Sequence, residues 1–382
     1  MDLTTDFCGL HLRNPFVVAS SPVTETTKGI LHCADSGAAA VVTKSISDYD
    51  FSAQPRGFRR VYVDKMGLWA TSTFSRETLT LEAGCQLISD VSAKSTVPII
   101  ASVAASDLRP ESWLKSCTAL ENAGAAALQL DLFYLPAELV GAELVVSLAG
   151  LFRILAAESK IPLVPKLNID IPPQLAAAAT RDTGIAGLSF LDSVTLPPPL
   201  LFPSLRPAFR FHARPNRASL FGSWQLPLTL SYTYRLARLT SLPLCAGGGM
   251  MSAADALQAI VQGATAVQFA TMVLLRGFIA IRRALDEFES LVSQTGRSLA
   301  ELRGFARHDM SQLESQSLFD DVCAVTNPAE CIACGECLKP AFCHAISLID
   351  SVARHDPDLC DGCSLCTHIC PRQAISLVPR TP

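Results

Sequence analysis

Eight of the 14 cysteines fall between Cys331 and Cys370, and their spacing constrains the fold more than any other feature of the chain. They stand as CIACGEC (331–337) and CDGCSLC (360–366), two copies 29 residues apart, and the tetrapeptide AISL follows each copy at the same offset (345–348 and 374–377). A loop, a short helix and a strand are therefore expected twice, related by a pseudo-twofold axis. The other six cysteines (Cys8, Cys33, Cys85, Cys117, Cys245 and Cys323) are scattered singly. The chain opens with acidic residues and no basic run ahead of an apolar stretch, so the cysteines point to metal binding in a reducing compartment rather than to disulfides. The cytoplasm is the expected location.

In the second copy Cys360, Cys363, Cys366 and Cys370 are followed by Pro371, which is the C-x2-C-x2-C-x3-C-P run of bacterial ferredoxins. Three thiolates at this spacing wrap a tight loop around one cubane, and the fourth reaches the other cluster. The first copy supplies Cys331, Cys334 and Cys337 but has Ala341 where the fourth cysteine belongs. Cys343 stands two residues late, with no insertion before AISL. It is expected to complete a cluster after local rewinding; the alternative is a cluster short of one thiolate. Paired C-x2-C also suits zinc, but three cysteines at this spacing, twice, with the trailing Cys-Pro, favour two [4Fe–4S] clusters. A module of this kind moves single electrons.

Ahead of it lies a chain that is 49% hydrophobic and 17% charged over all 382 residues, enough for one large domain and one small one. The formal charge of −4 excludes no soluble enzyme class but gives no reason to expect nucleic acid or an anionic membrane surface as partner. The most apolar helical stretch, 137–157, contains Glu138, Glu143 and Arg153, so a buried helix is expected there and not a membrane span. Near-continuous apolar runs at 16–20, 40–45, 98–104, 127–133, 162–167, 187–191, 242–247 and 266–270 read as parallel strands covered on both faces. Helical patterns lie between them. Eight strand–helix units match the α/β class and its (β/α)8 TIM barrel. A doubly wound sheet is the alternative, but the first strand runs into ASSPVTET and not into a glycine-rich turn. The expected organisation is a barrel over 1–289, a helical linker over 290–328 and a ferredoxin-like α+β domain over 329–382.

Clusters carry one electron at a time, so a group that handles electron pairs is expected in the barrel, and the sequence offers a flavin site. GGGM (247–250) follows the seventh strand, and Ala270-Thr271 follows the eighth ahead of a helix. In barrels these loops form the usual phosphate cradle. Lys44 and Lys166 end the second and fifth strands, where a cation stabilises an electron-rich reduced ring.

These residues resemble a known family. Positions 1–285 are similar to the flavin-binding barrel shared by dihydroorotate dehydrogenases and dihydropyrimidine dehydrogenase. The resemblance rests on DFCGLHLRNPFVVASSP, GAAAVVTKS, IPLVPKL and LPLCAGGGMMSAADALQAIVQGATAVQFAT. It implies FMN held by Ala19, Ser20, Lys44, Ser45, Lys166, Gly248, Gly249, Ala270 and Thr271. The appended module implies the dihydropyrimidine dehydrogenase side, in its bacterial two-subunit form. A separate FAD/NAD(P)H subunit would then exchange electrons with this chain, and homodimers are common in the family.

The departures from the family lie where substrate chemistry should be. The family's Asn-x-Ser-Cys after the fourth strand is here Asp131-Leu132-Phe133-Tyr134, its lid loop is missing, and an asparagine after the sixth strand is Asp192. A third family asparagine aligns loosely with Gly67. An amide both donates and accepts, whereas an ionised carboxylate only accepts. Two aspartates would repel the carboxylate of orotate, and Tyr134, with Asp131 and Asp192, becomes the candidate for proton transfer. The expected activity is oxidoreduction of a CH–CH bond in a small-molecule substrate. A dihydropyrimidine is preferred and dihydroorotate is the alternative; a barrel that only relays electrons is the reading from outside the enzyme class.

Overall fold

The computed structural model describes residues 1–48, 61–64, 67–71, 78–132, 142–196, 200–207, 218–307 and 322–380. The chain divides into two compact units, Met1–His308 and Asp309–Pro382.

The first unit is a closed parallel barrel. Its strands are β1 (Phe16–Val18), β2 (Ala40–Val42), β3 (Ile99–Ala104), β4 (Ala127–Asp131), β5 (Leu163–Leu167), β6 (Leu188–Phe190), β7 (Leu244–Ala246) and β8 (Ala266–Phe269). Each pairs in parallel with the next, and β8 pairs with β1 to close the ring. All eight lie within the apolar runs of the sequence.

Around the ring pack α1 (Thr27–Asp35), α2 (Leu81–Ser92), α3 (Glu111–Asn122), α4 (Ala142–Glu158), α5 (Pro173–Thr180), α6 (Leu226–Ala237), α7 (Ala253–Gln262), α8 (Thr271–Arg276), α9 (Ile279–Gln294) and α10 (Leu299–Leu302). Their starts are set locally. Thr26, Thr80 and Ser252 each accept a hydrogen bond from the backbone two or three residues into α1, α2 and α7. Helix α9 buries Phe288 against Phe16, ring centroids 5.1 Å apart, and so seals the β8–β1 seam. The segment 290–328 is thus divided: its first residues finish α9 and form α10 in the barrel unit, and 322–326 is a strand of the second unit.

Alternation along the strands sorts the barrel into an outer layer and a lumen. In β4, Leu128 and Leu130 join the large core beneath the helices, while Ala127 belongs to a separate cluster with Val17, Val42, Ile100, Val164 and Cys245. That cluster also contains Phe7, Cys8 and Leu12 of the hairpin formed by Thr5–Phe7 and Leu10–Leu12, which closes the N-terminal end of the lumen. Two residues further along the same strand faces the lumen turns polar. Gln268 Nε2 donates to Gln129 Oε1 at 3.2 Å, and Gln129 Nε2 donates to Ser102 Oγ at 3.4 Å. One step beyond lie Lys44, Asp131 and Lys166, all buried. The lumen is apolar at its floor, amide-lined at mid-height and charged at its C-terminal mouth.

Two insertions meet above that mouth. Val61–Asp64 and Gly67–Thr71, after β2, pair antiparallel with each other, and Gly67–Thr71 pairs with Ala218–Phe221 from the insertion after β6. Val194–Leu196 completes a four-stranded sheet.

The second unit folds as two copies of one motif. Strand β9 (Val322–Thr326) pairs antiparallel with β12 (Ile375–Pro379), and β10 (Ile346–Ile349) pairs with β11 (Val352–His355). Helix α11 (Leu365–Ile369) follows the second cysteine loop, and a 3-10 turn, Glu336–Leu338, follows the first. The 29-residue repeat holds at backbone level. Ala333 and its mate Gly362 have φ 56° and 66°, and Gly335 and its mate Ser364 have φ 72° and 61°. Both loops turn the same way at the same places. No described helix is long and apolar enough to cross a membrane.

Candidate functional site

Four charged side chains meet at the barrel mouth. Lys44 continues the lumen face of β2, Asp131 ends β4, Lys166 lies in β5 directly opposite Asp131 in the parallel register, and Asp192 follows β6. Lys166 Nζ donates to Asp192 Oδ2 at 2.7 Å. Ser45 Oγ donates to Asp131 Oδ2 at 2.8 Å, and Ser20 Oγ lies 3.3 Å from Ser45 Oγ.

Electrostatics treat the two lysines differently. Burial pushes the Lys44 ammonium below its ordinary pKa, and Asp192 and Asp131 offset only part of that. Burial works the same way on Lys166, but Asp192 and Asp131 outweigh it and hold its pKa above the ordinary value. Asp131 and Asp192 thus stand beside two lysines, and each acts on both of them. Asp192, whose side chain is 39% exposed, is the outermost of the four.

Backbone strain places Asp192. Leu191 has φ 56°, rare for a bulky residue, and donates its N–H to Leu167 O at 3.0 Å. That turn folds the chain back beside Lys166, at a cost of about 1–3 kcal/mol. Strain of this size held by a tight surround is a mark of functional positions.

The glycine turn lies next to this bend. A Cβ at Gly247 would come within 2.9 Å of Leu191 O. Gly248 and Gly249 both have φ 85°, and a Cβ at Gly249 would sit 2.4 Å from Leu226 N. Only glycine fits there. Thr229 Oγ1, from α6, donates towards Gly248 O at 2.7 Å and Gly247 O at 3.0 Å and fixes the turn. Ala270 and Thr271 open α8, and Ala19, which is buried, bonds its N–H to Phe269 O at 2.9 Å between β1 and β8.

Two features went unread in the sequence. Gln225, on the turn before α6, is fully buried, and neither its Oε1 nor its Nε2 has a partner among the described residues. A Cβ at Gly248 would lie 2.8 Å from its Nε2. Such an amide costs about 1–3 kcal/mol unless something satisfies it. The second is the amide layer of Gln129 and Gln268. Its signal was a single polar residue inside each of three otherwise apolar runs, Ser102, Gln129 and Gln268. Tyr134 lies outside the described residues, and Gly67 begins an insertion strand whose side chains are likewise undescribed.

In the second unit the cysteines surround two cavities. Cys331, Cys334, Cys337 and Cys370 line one; Cys343, Cys360, Cys363 and Cys366 line the other, which Cys337 also reaches. Burial raises the Cys337 thiol pKa, and Cys334, Cys331 and Cys370 add to it; burial likewise pushes Cys366 up to about 11, with Cys360, Cys363 and Cys343 adding. Each loop thus shares its cavity with the last cysteine of the other copy, Cys343 included. Among the described residues no three His, Cys, Asp or Glu converge tightly enough for a single metal ion. Four thiols spread around a cavity suit a multi-atom cluster better than tetrahedral zinc, where every Zn–S bond is about 2.3 Å.

Comparisons agree with both halves. Residues 353–376 match the family described as 4Fe-4S binding domain. The chain is 25% identical over 297 residues to the catalytic subunit of dihydroorotate dehydrogenase B (NAD(+)) from Thermoplasma acidophilum, covering 76% of this chain and 94% of that protein. The subunits of the same name from Pyrococcus furiosus and Methanothermobacter thermautotrophicus are each 25% identical over 320 residues, covering 80% of this chain and 99% of theirs.

Proposed function

We propose that this chain is the flavin- and cluster-bearing subunit of an oxidoreductase that acts on the CH–CH bond of a dihydropyrimidine-like substrate and exchanges electrons with a partner subunit. It is an oxidoreductase of the CH–CH class, as its relatives are. One observation carries the finer reading: a mouth with two buried lysines beside a glycine turn shares a chain with two four-thiol cavities.

The residues fit FMN. Gly248 and Gly249 make a turn against Gln225 and Leu226 that no residue with a Cβ could make, the unsatisfied Nε2 of Gln225 is a donor a phosphate at that turn would take up, and Lys44 and Lys166 would supply positive charge to a reduced flavin. They fit two [4Fe–4S] clusters as well, one on Cys331, Cys334, Cys337 and Cys370 and one on Cys343, Cys360, Cys363 and Cys366. FMN bound there would supply two-electron chemistry towards the substrate, and the clusters would supply one-electron steps. Ser45, held at 2.8 Å from Asp131, hands a substrate proton to that buried carboxylate, with Ser20 as the outer hydroxyl of the relay. Asp192 accepts a hydrogen bond from a substrate N–H while Lys166 keeps its charge compensated. Tyr134 remains a proposed proton donor on sequence grounds.

The names of the relatives favour dihydroorotate as the second reading. Anaerobic purification, a visible spectrum and additions of dihydrouracil, dihydrothymine and dihydroorotate in turn decide between them. Bleaching of bound flavin by either of the first two supports the proposal, and bleaching by dihydroorotate alone replaces it. Cluster absorbance without flavin would overturn the enzyme reading and leave an electron-relay subunit.

A further inference from the structure

The pseudo-twofold of the cysteine module holds in its loops and strands, though a 3-10 turn in one half answers to an α-helix in the other. Ala324 N–H donates to Cys360 Sγ at 3.4 Å, and its repeat mate Ala353 donates to Cys331, so each half caps the first cysteine of the other. Asn327 N–H donates to Ala374 O at 2.7 Å, and its mate Asp356 donates to Ala345 O at 2.8 Å. The mates at the ends of β9 and β11 touch each other: Thr326 Oγ1 lies 3.3 Å from His355 Nδ1. Thr326 lines the cavity of Cys331, Cys334, Cys337 and Cys370, and His355 lines the cavity of Cys343, Cys360, Cys363 and Cys366. The two side chains span the wall between the cavities. They are also where the halves differ in kind, a hydroxyl on one side and an imidazole on the other.

His355 Nε2 is shielded from solvent and has no partner among the described residues. The ring stands against a cavity lined by sulfur, which accepts hydrogen bonds. The hydroxyl can donate to Nδ1 or accept from it; we assign the first, because the tautomer with its proton on Nε2 is the one that a sulfur-lined cavity satisfies. Hydrogen bonds to cluster sulfurs withdraw electron density and favour the reduced, more negative state.

We propose that His355 donates a hydrogen bond from Nε2 to the cluster held by Cys343, Cys360, Cys363 and Cys366, and so makes the two clusters unequal, this one having the higher reduction potential. This rests on the cluster assignment made above. His355 acts through the sulfur shell as a tuning residue and is not itself a ligand. The asymmetry gives electrons a downhill direction between two sites that the backbone makes nearly equivalent.

The test is EPR-monitored redox titration of the full chain, after iron and acid-labile sulfide have been counted. His355→Thr makes the two halves alike, and is expected to move one reduction step to more negative potential and narrow the gap between the two. His355→Gln, which keeps an N–H at the Nε2 position, is expected to restore part of the shift. Thr326→Val, which leaves the imidazole but removes the hydroxyl that fixes its tautomer, is expected to move the same step. Full iron content with unchanged potentials in His355→Thr overturns the proposal, as does an equal shift in His355→Thr and His355→Gln. Loss of iron from His355→Thr alone, with Thr326→Val unshifted, makes the ring a ligand and overturns it too. A wild-type iron count that fits one cluster would refute the two-cluster reading itself, before any variant is compared.

Discussion

Lys166 and Asp192 form the ion pair that organises the barrel mouth, Nζ to Oδ2 at 2.7 Å, with the lysine buried and the carboxylate on the solvent side. A lysine in that position keeps its charge because the partner is there.

Removing the partner should therefore be felt mainly by the lysine. Asp192→Asn is expected to destabilise the chain by about 1–3 kcal/mol, less than the ~3–5 kcal/mol of a fully buried broken pair, because Asp192 is partly exposed. Asp192 raises the pKa of Lys166, so the stabilisation is complete below the unfolded lysine value near ~10.4 and fades as pH rises through the folded value. Chemical denaturation of both proteins at pH 8 and pH 11 checks this. A variant as stable as wild type at pH 8 would show that the pair contributes little.

Cys343 should behave as a cluster residue despite its displaced position. Wild-type protein is expected to hold about eight iron atoms, and Cys343→Ser about four, or to lose iron much faster in air. Cys323→Ser, a buried cysteine outside both cavities, is expected to keep the full number. Colorimetric iron and sulfide assays on anaerobically purified protein give the answer.

The stranded amide of Gln225 predicts opposite effects on stability and on cofactor retention. Gln225→Leu removes two unsatisfied polar atoms, so the flavin-free chain is expected to melt at the same or higher temperature, by up to about 1–2 kcal/mol. Flavin retention should fall by tenfold or more. Thermal melts and flavin fluorescence after gel filtration separate the two effects; a variant that binds flavin like wild type would remove Gln225 from the site.

Gly249 tests the turn itself. Ala at this position has both a left-handed φ and a backbone atom in the path of its methyl. Gly249→Ala is expected to cost at least about 1–3 kcal/mol and to lower flavin content sharply. Gly296→Ala, at φ 68° with nothing near the added methyl, should cost the stability without the flavin. Equal flavin content in the two variants would argue against a cofactor at the turn.

The barrel was legible because each strand is short, apolar and separated from the next by a helical period, and the helices carry their caps in sequence. Its lumen was less so. Gln129, Ser102 and Gln268 sit inside runs that look uniformly apolar, and only the alternation reveals that they share one face. Lys44 and Lys166 could be placed at the mouth from strand ends alone. That Asp192 turns back onto Lys166 could not, because it depends on a left-handed residue, Leu191, that sequence preferences disfavour. The cavity shared by Cys343 and the Cys360 loop was anticipated from spacing. Its wall, where Thr326 meets His355, follows from the repeat but only once the two strands are in place. The sheet that pairs Gly67–Thr71 with Ala218–Phe221 was missed altogether, since its strands are separated in sequence by four strands of the barrel.

That sheet has a consequence for the birth of the chain. When Val61–Asp64 and Gly67–Thr71 leave the ribosome, the pair they form has open edges, and the strand that covers Gly67–Thr71 is still unmade through four further strands of the barrel. Until Ala218–Phe221 arrives, the edge is available to any passing strand, so a slow or stalled translation past β4 should be the most aggregation-prone moment of synthesis.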